Sequence, residues 1–242
     1  MPLIFVLPLA FNTSSFLTYP MEGFTLDWFR VVFTQPLWTN ALLNSLKVAC
    51  GAMVVAVLIG GLGAMGVMLT NRMAQIVLSA LFVSPLIIPS IVVAVAFAYA
   101  FGRIGLSGSY WSLVLAHAIL GAPLVFLSVM TSLKGLDPDL DKAAASLGGS
   151  RSHRFWYVTL PLTIPGFLAG ALFAFITSFD EVVVALFLAA PQATTLPIAL
   201  FAGLRDRLQP TIVVVALLLS LISLVFLLIL SKAQMRANQS KA

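Results

Sequence analysis

Four stretches of this chain, residues 48–69, 74–101, 110–130 and 211–230, run for twenty residues or more without a charged side chain. A bilayer core about 30 Å thick takes about 20 helical residues at 1.5 Å each. Each stretch is therefore long enough to cross. A fifth, residues 160–190, is equally long but carries Asp180 and Glu181. Over the whole chain 61% of residues are hydrophobic and 9% charged, against roughly 45–50% and 25% in soluble domains. No soluble core can hide that much apolar surface, so the solvent is lipid. The reading is an all-α, polytopic membrane protein with five clear spans in a single domain, residues 1–242. The net charge of +5 is spread singly between apolar runs. It forms no patch or stripe of the kind a nucleic acid backbone requires. Cys50 lies in an apolar run, reads as a small buried residue and leaves no internal disulfide.

The first eleven residues are apolar but too short to cross alone, and they lack a basic leader and a small-residue cleavage site. They look like the last turns of a helix, so a truncated first span starting about fifteen residues upstream is expected, with a short interfacial anchor as the alternative. Lysine and arginine set the orientation. Arg72, Lys134, Lys142, Arg151, Arg154, Lys232, Arg236 and Lys241 fall on one side, and Arg30, Lys47, Arg103, Arg205 and Arg207 on the other. The excess places the C-terminus in the cytoplasm. Residues 12–44 then form an extracytoplasmic segment whose Trp28, Phe29, Phe33 and Trp38 suit a stretch lying along the interface. Gly51, Gly60, Gly61, Gly63, Gly66, Gly166 and Gly170 mark close helix packing in lipid. Pro85 and Pro89 interrupt the third span and Pro123 the fourth, each removing a backbone hydrogen bond.

The long polar loop at residues 132–160 reads as helix–turn–helix. Asp137 or Asp139 caps its start, Asp141 suits the first turn, and an alanine run follows. Gly148 and Gly149 stop that helix. Arg151, His153 and Arg154 begin a second short helix ending near Pro161. Lys142-Ala143-Ala144 is followed by three residues and Gly148, then by nine residues and Val158-Thr159-Leu160-Pro161. This resembles the permease subunits of bacterial ABC importers, whose hallmark loop reads Glu-Ala-Ala, three residues, Gly, nine residues, Ile-x-Leu-Pro. The resemblance implies the six-helix type I permease plan in a bacterial inner membrane. It also implies that residues 141–149 form a coupling helix seated on a separate ATPase subunit. Asp141, Lys142, Ala143, Ala144, Gly148, Leu160 and Pro161 are then the coupling residues. Lys142 departs from the family glutamate, and Asp141 substitutes only in part because it points about 100° away on a helix. The implied partners are a second permease subunit, two ATP-binding subunits that hold the ATP and magnesium, and an extracytoplasmic solute-binding protein. Within the family, Ser178-Phe179-Asp180-Glu181, Phe187-Leu188-Ala189 and Thr194-Thr195-Leu196-Pro197 resemble the spermidine/putrescine branch. Relatives with similar motifs carry phosphonates, opines or other small solutes. Aspartate at Gly148 is expected to disrupt the turn and uncouple ATP hydrolysis from uptake.

Asp180 and Glu181 lie about twenty residues into their span, toward its outer half. Charge in hydrocarbon is costly, so such residues face a cavity or a partner. With Ser178 and His117 they are the candidate translocation path, where a carboxylate would attract a cationic solute. The alternatives are a loop cap at the interface, an ion pair with Arg205 or Arg207, or a pairing with the second permease subunit. His117 also reads as a neutral histidine donating to a backbone carbonyl. No Gly-Lys dipeptide, no His-Glu-x-x-His pattern and no metal or nucleophile constellation occurs, so no catalytic residue is assigned. An intramembrane enzyme and a secondary transporter are the rival readings. Neither needs an ATPase-docking loop.

Overall fold

The computed structural model describes residues 5–206 and 209–239. Among these, the regular secondary structure is helical, apart from one isolated bridge between Asn12 and Phe24. This is the arrangement lipid favours, because a helix satisfies its own N–H and C=O groups. The helices are α1 (Asp27–Thr34), α2 (Pro36–Met68), α3 (Arg72–Val83), α4 (Ser90–Arg103), α5 (Tyr110–Lys134) and α6 (Pro138–Ser146). After them come α7 (Arg151–Arg154), α8 (Leu160–Phe179), α9 (Val183–Leu188), α10 (Leu196–Asp206) and α11 (Pro210–Gln239). Among the described residues four continuous helical segments are long and apolar enough to cross a bilayer: Pro36–Met68, Tyr110–Lys134, Arg151–Phe179 and Pro210–Ile229. A fifth crossing requires α3 and α4 to be counted together as one broken span.

The expected boundaries change in several places. The first crossing helix begins at Pro36, so Trp38 belongs to it, buried at 6% exposure, instead of to an interfacial segment. Only α1, with Trp28 and Phe29 on its partly buried side and Phe33 exposed, matches the amphipathic stretch. The third span breaks as Pro85 and Pro89 suggest: α3 passes into a 3-10 turn at Ser84–Leu86, and helix resumes at Ser90. Pro123 does not interrupt its helix, for α5 runs through it. The second loop helix does not stop at Pro161. It passes through a π turn, Phe155–Thr159, into α8. A proline ring clashes with the carbonyl four residues back. The wider turn, with Leu160 N–H donating to Phe155 O, accommodates Pro161 without ending the helix. At its far end this helix stops at Phe179, so residues 160–190 are not one span. Cys50 is exposed at the chain's surface, which corrects the buried reading. Of the apolar N-terminus, residues 1–4 lie outside the described residues, as do Arg207 and Lys241; Leu7–Phe11 forms a 3-10 turn.

The chain divides into two compact units. One comprises Met1–Val48, Ser90–Leu113 and Phe179–Val225. Its core joins Trp38 and Ala41 of α2 to Leu196 and Ala199 of α10 and to Val213, Val214 and Val215 of α11. The short α9 lies along α4. Buried Asn12 organises the loop before α1: its Oδ1 accepts from Ser14 N and Glu22 N, and its carbonyl accepts Trp28 Nε1–H at 2.7 Å. Asn44 does the same for the segment after α9, its Nδ2 donating to the carbonyls of Gln192 (3.0 Å) and Thr194 (2.9 Å). Tyr110 OH reaches Asn44 Oδ1 at 2.6 Å.

The other unit comprises Ala49–Pro89, Val114–Ser178 and Phe226–Ala242. Small residues of α2, Ala52, Ala56 and Ala64, pack with Ala118, Ala122, Val125 and Phe126 of α5 and Ala174 of α8. Without a hydrophobic force between helices in lipid, close backbone approach supplies the attraction. A Cβ on Gly60 would strike the Ala122 carbonyl, and one on Gly170 would sit 2.7 Å from Val125 Cα. Gly66, with nothing within 4 Å, is not a packing glycine within this chain.

Candidate functional site

The loop between α5 and α8 is built by its own caps. Asp137 Oδ1 accepts from Asp139 N at 2.9 Å, and Pro138 occupies the first helical turn. Asp139 and Asp141 sit in the same turn, where negative charge meets the helix dipole favourably. At the other end Gly148 takes φ +83°, the left-handed conformation that side chains avoid. Gly149 N donates to Ala144 O and Gly148 N to Ala145 O, both at 3.0 Å. Those two bonds are the Schellman closure. Ser150 then caps α7, its Oγ accepting from His153 N at 3.3 Å. The turn between the two helices is thus specified by Gly148, Gly149 and Ser150 alone.

The two arms are tied together by charge. Arg154 Nη1 donates to the Asp141 carboxylate and, at 3.4 Å, to the Asp141 carbonyl. Asp141 is therefore committed within the loop and is not a free stand-in for the family glutamate. Lys142 turns instead to Asp139 at 2.7 Å, with both side chains about three-quarters exposed, so that pair adds little stability. The helix α6 has no buried residue. Leu140, Ala143, Ala144 and Leu147 recur at helical spacing, and Leu140 (46%) and Leu147 (89%) are largely uncovered. The exposed, doubly capped helix thus carries an apolar stripe that no other part of the described chain buries. Leu160 and Pro161, expected to belong with this loop, instead open α8 beyond the π turn.

The candidate path residues separate into two groups. Ser178 and His117 meet inside the second unit: His117 Nδ1 lies 2.9 Å from Ser178 Oγ, with exposures of 1% and 5%. The partner of His117 is thus a hydroxyl instead of the expected backbone carbonyl, and its Nε2 has no partner among the described residues. Alanine at Ser178 leaves the buried imidazole unpaired, at a cost of about 1–3 kcal/mol, whereas replacing both groups with apolar ones approaches neutrality. Thermal unfolding of the purified complex should therefore rank Ser178→Ala below the His117→Leu/Ser178→Ala double variant. The opposite order would remove the pairing.

Asp180 and Glu181 occupy the break after α8, not the interior of a span. Glu181 Oε1 accepts from Val184 N at 2.9 Å and so caps α9, the local role weighed as an alternative. Asp180 is exposed. Among the described residues the ion pairs are Lys142–Asp139 and Arg154–Asp141, so neither carboxylate pairs with Arg205, whose guanidinium lies over Phe201. The expected pairing with Arg207 lies outside the described residues. Sequence reasoning named Arg154 without its role and passed over Asn44 and Tyr110. An amide at the start of a crossing helix was the available signal for Asn44, since buried polar groups in lipid need partners.

The chain is thus a polytopic helical membrane protein that carries an exposed, capped helix–turn–helix between two of its spans. The chain belongs to the family of binding-protein-dependent transport system inner membrane components, whose model matches residues 52–236. It is a permease of the ABC importer type and not an enzyme. It is 28% identical to the spermidine/putrescine transport system permease protein PotC of Haemophilus influenzae, over 98% of this chain and 91% of that protein. To the putative 2-aminoethylphosphonate transport system permease protein PhnV of Salmonella typhimurium it is 32% identical, over 90% of this chain and 86% of that protein. Among solved structures, a chain of an amino acid ABC transporter superposes with a TM-score of 0.66 at 23% identity, covering 88% of this chain and 99% of that one. A chain of the bacterial alginate ABC transporter, solved with its alginate-bound periplasmic protein, gives 0.71 at 16% identity, over 97% and 88%. Those two likenesses concern the fold.

Proposed function

We propose that this permease carries a small organic cation of the polyamine class, as one of two different membrane subunits served by two ATP-binding subunits and an extracytoplasmic solute-binding protein. The observation that carries the coupling part is the uncovered stripe of Leu140, Ala143, Ala144 and Leu147 on a helix held rigid by Gly148 and the Asp141–Arg154 pair. ATP and its magnesium belong to the partner subunits that this stripe would meet, and the C-terminus lies on the same, cytoplasmic, side. Closure of those subunits would push on α6. Through the π turn at Phe155–Thr159 the movement would pass into α8.

The likeness to PotC and the acidic Asp180 favour a cationic solute. The likeness to PhnV, slightly higher in identity, keeps an aminophosphonate as the second reading. Uptake of labelled putrescine, spermidine and 2-aminoethylphosphonate by the reconstituted complete complex separates them. Saturable, ATP-dependent polyamine uptake is expected. Asp180→Asn should lower it, while Glu181→Gln, which keeps an oxygen to cap α9, should leave it close to wild type. Transport of the aminophosphonate alone would transfer the assignment to the second reading. Equal losses in both variants would mean that the break acts as a structural unit without a path carboxylate.

A further inference from the structure

The loop and the helix ends beside it enclose a cavity of about 710 Å³ within the second unit. Its walls are of two kinds. Met65, Met68 and Leu69 at the end of α2, with Phe155 of the π turn, make an apolar floor. Arg151 and Arg154 stand at its polar side, with Asp141 as the one carboxylate. Asp141 is already taken by Arg154 Nη1, and Arg151 has no ion pair among the described residues, so one positive charge is left in excess. The same π turn exposes Trp156 (59%) and Tyr157 (72%), rings of the kind that settle at the boundary between hydrocarbon and headgroups. Such rings beside the cavity suit a position near the headgroup layer.

We propose that this cavity binds one anionic phospholipid, its phosphate on Arg151 and the free edge of Arg154 and its chains against Met65, Met68 and Leu69. The charge selects an anion, since two guanidiniums face one carboxylate. The apolar floor selects a lipid over free phosphate, which gains nothing from contact with methionine and leucine. Basic pockets at helix ends on a headgroup layer are suited to such lipids. A lipid seated there also touches both arms of the capped loop, through Asp141 on one side and Arg154 and Phe155 on the other, and would brace the element that the proposed ATPase contact moves.

The test is native mass spectrometry of the assembled transport complex, titrated with phosphatidylglycerol or phosphatidylcholine. Wild type is compared with Arg151→Glu and Met68→Asp. Glutamate at position 151 opens a helix, where negative charge is favourable, and leaves the Asp141–Arg154 pair in place, so the loop should stay folded. Met68→Asp attacks the floor independently of the arginines. Complex mass in the same spectra reports assembly, which keeps failure of the importer reading separate from failure of the lipid site. The expected result is one retained phosphatidylglycerol per copy of this chain, weakened about tenfold or more by charge reversal at Arg151 and also lost in Met68→Asp. Equal retention of the two lipids, unchanged retention in Arg151→Glu, or displacement by inorganic phosphate would each overturn the proposal.

Discussion

Valine at Gly148 is expected to reduce uptake by about tenfold or more while the membrane spans remain assembled. At φ +83° the residue sits in the left-handed region, which costs an L residue roughly 1–2 kcal/mol and a β-branched one more. The cost is conformational and not steric, because nothing lies within 4 Å of the position where a Cβ would be. That distinction ranks the variants. Asparagine, which tolerates this region best after glycine, should be mild; aspartate, the change expected to uncouple from sequence alone, intermediate; valine severe. The neighbouring Gly149 is limited in the other way. Its Cβ would lie 2.7 Å from Ala144 O, the oxygen that accepts its own N–H. Alanine there should break the closure whatever backbone angle it takes. A helix of nine residues has little stability of its own once a cap is lost. Uptake and ATPase rate, measured together on the same reconstituted complex, decide the matter. ATP hydrolysis that continues without uptake is the expected signature of Gly148→Val. Coupled uptake near wild type at equal membrane abundance would mean that the cap does not position the loop.

The largest effect on assembly is expected from Gly60→Leu. A side chain there meets the Ala122 carbonyl directly and lies 2.8 Å from Val125 Cβ and 2.9 Å from Phe126 N. Two of those three obstacles are backbone, so no rotamer change relieves the clash and α2 must move away from α5. Overpacking of this kind costs typically 1–3 kcal/mol and more where backbone is in the way, against a total stability of about 5–15 kcal/mol. Gly66 lies on the same helix, and nothing lies within 4 Å of where its Cβ would be. Gly66→Leu should therefore leave the abundance of the chain in isolated membranes near wild type, while Gly60→Leu lowers it severalfold. Quantitative blotting of membranes at matched expression tests the contrast, and equal abundances would show that the α2–α5 approach is not limiting.

Much of the site was readable in one dimension because its determinants are local. The caps at Asp137 and Ser150 and the glycine closure each act through hydrogen bonds between residues close in sequence, so spacing alone locates the turn. The break at Asp180 and Glu181 was harder. Both residues stand in an apolar sequence of adequate length, and nothing local distinguishes a helix that continues from one that stops and restarts at Val183. Glu181 decides its own role by bonding Val184 N, a contact that exists only once the break has formed. The prolines show the same limit. Pro85 with Pro89 breaks a helix, whereas Pro123 lies inside a continuous one and Pro161 is absorbed by a π turn. The difference lies in what surrounds the ring and not in the residue itself.

What the sequence by itself determined was the solvent, the helical class, most of the crossing segments and the position of the loop. Each follows from apolar run length or from contacts within a few residues. The tertiary structure alone decided who pairs with whom: Asp141 with Arg154, His117 with Ser178, Asn44 with the carbonyls after α9, and which glycines carry a helix contact. Those partners stand 13, 61 and 148 residues apart in the polar cases. Hydropathy and spacing do not encode such distances, because they are fixed only when buried polar groups and close backbones find one another on folding.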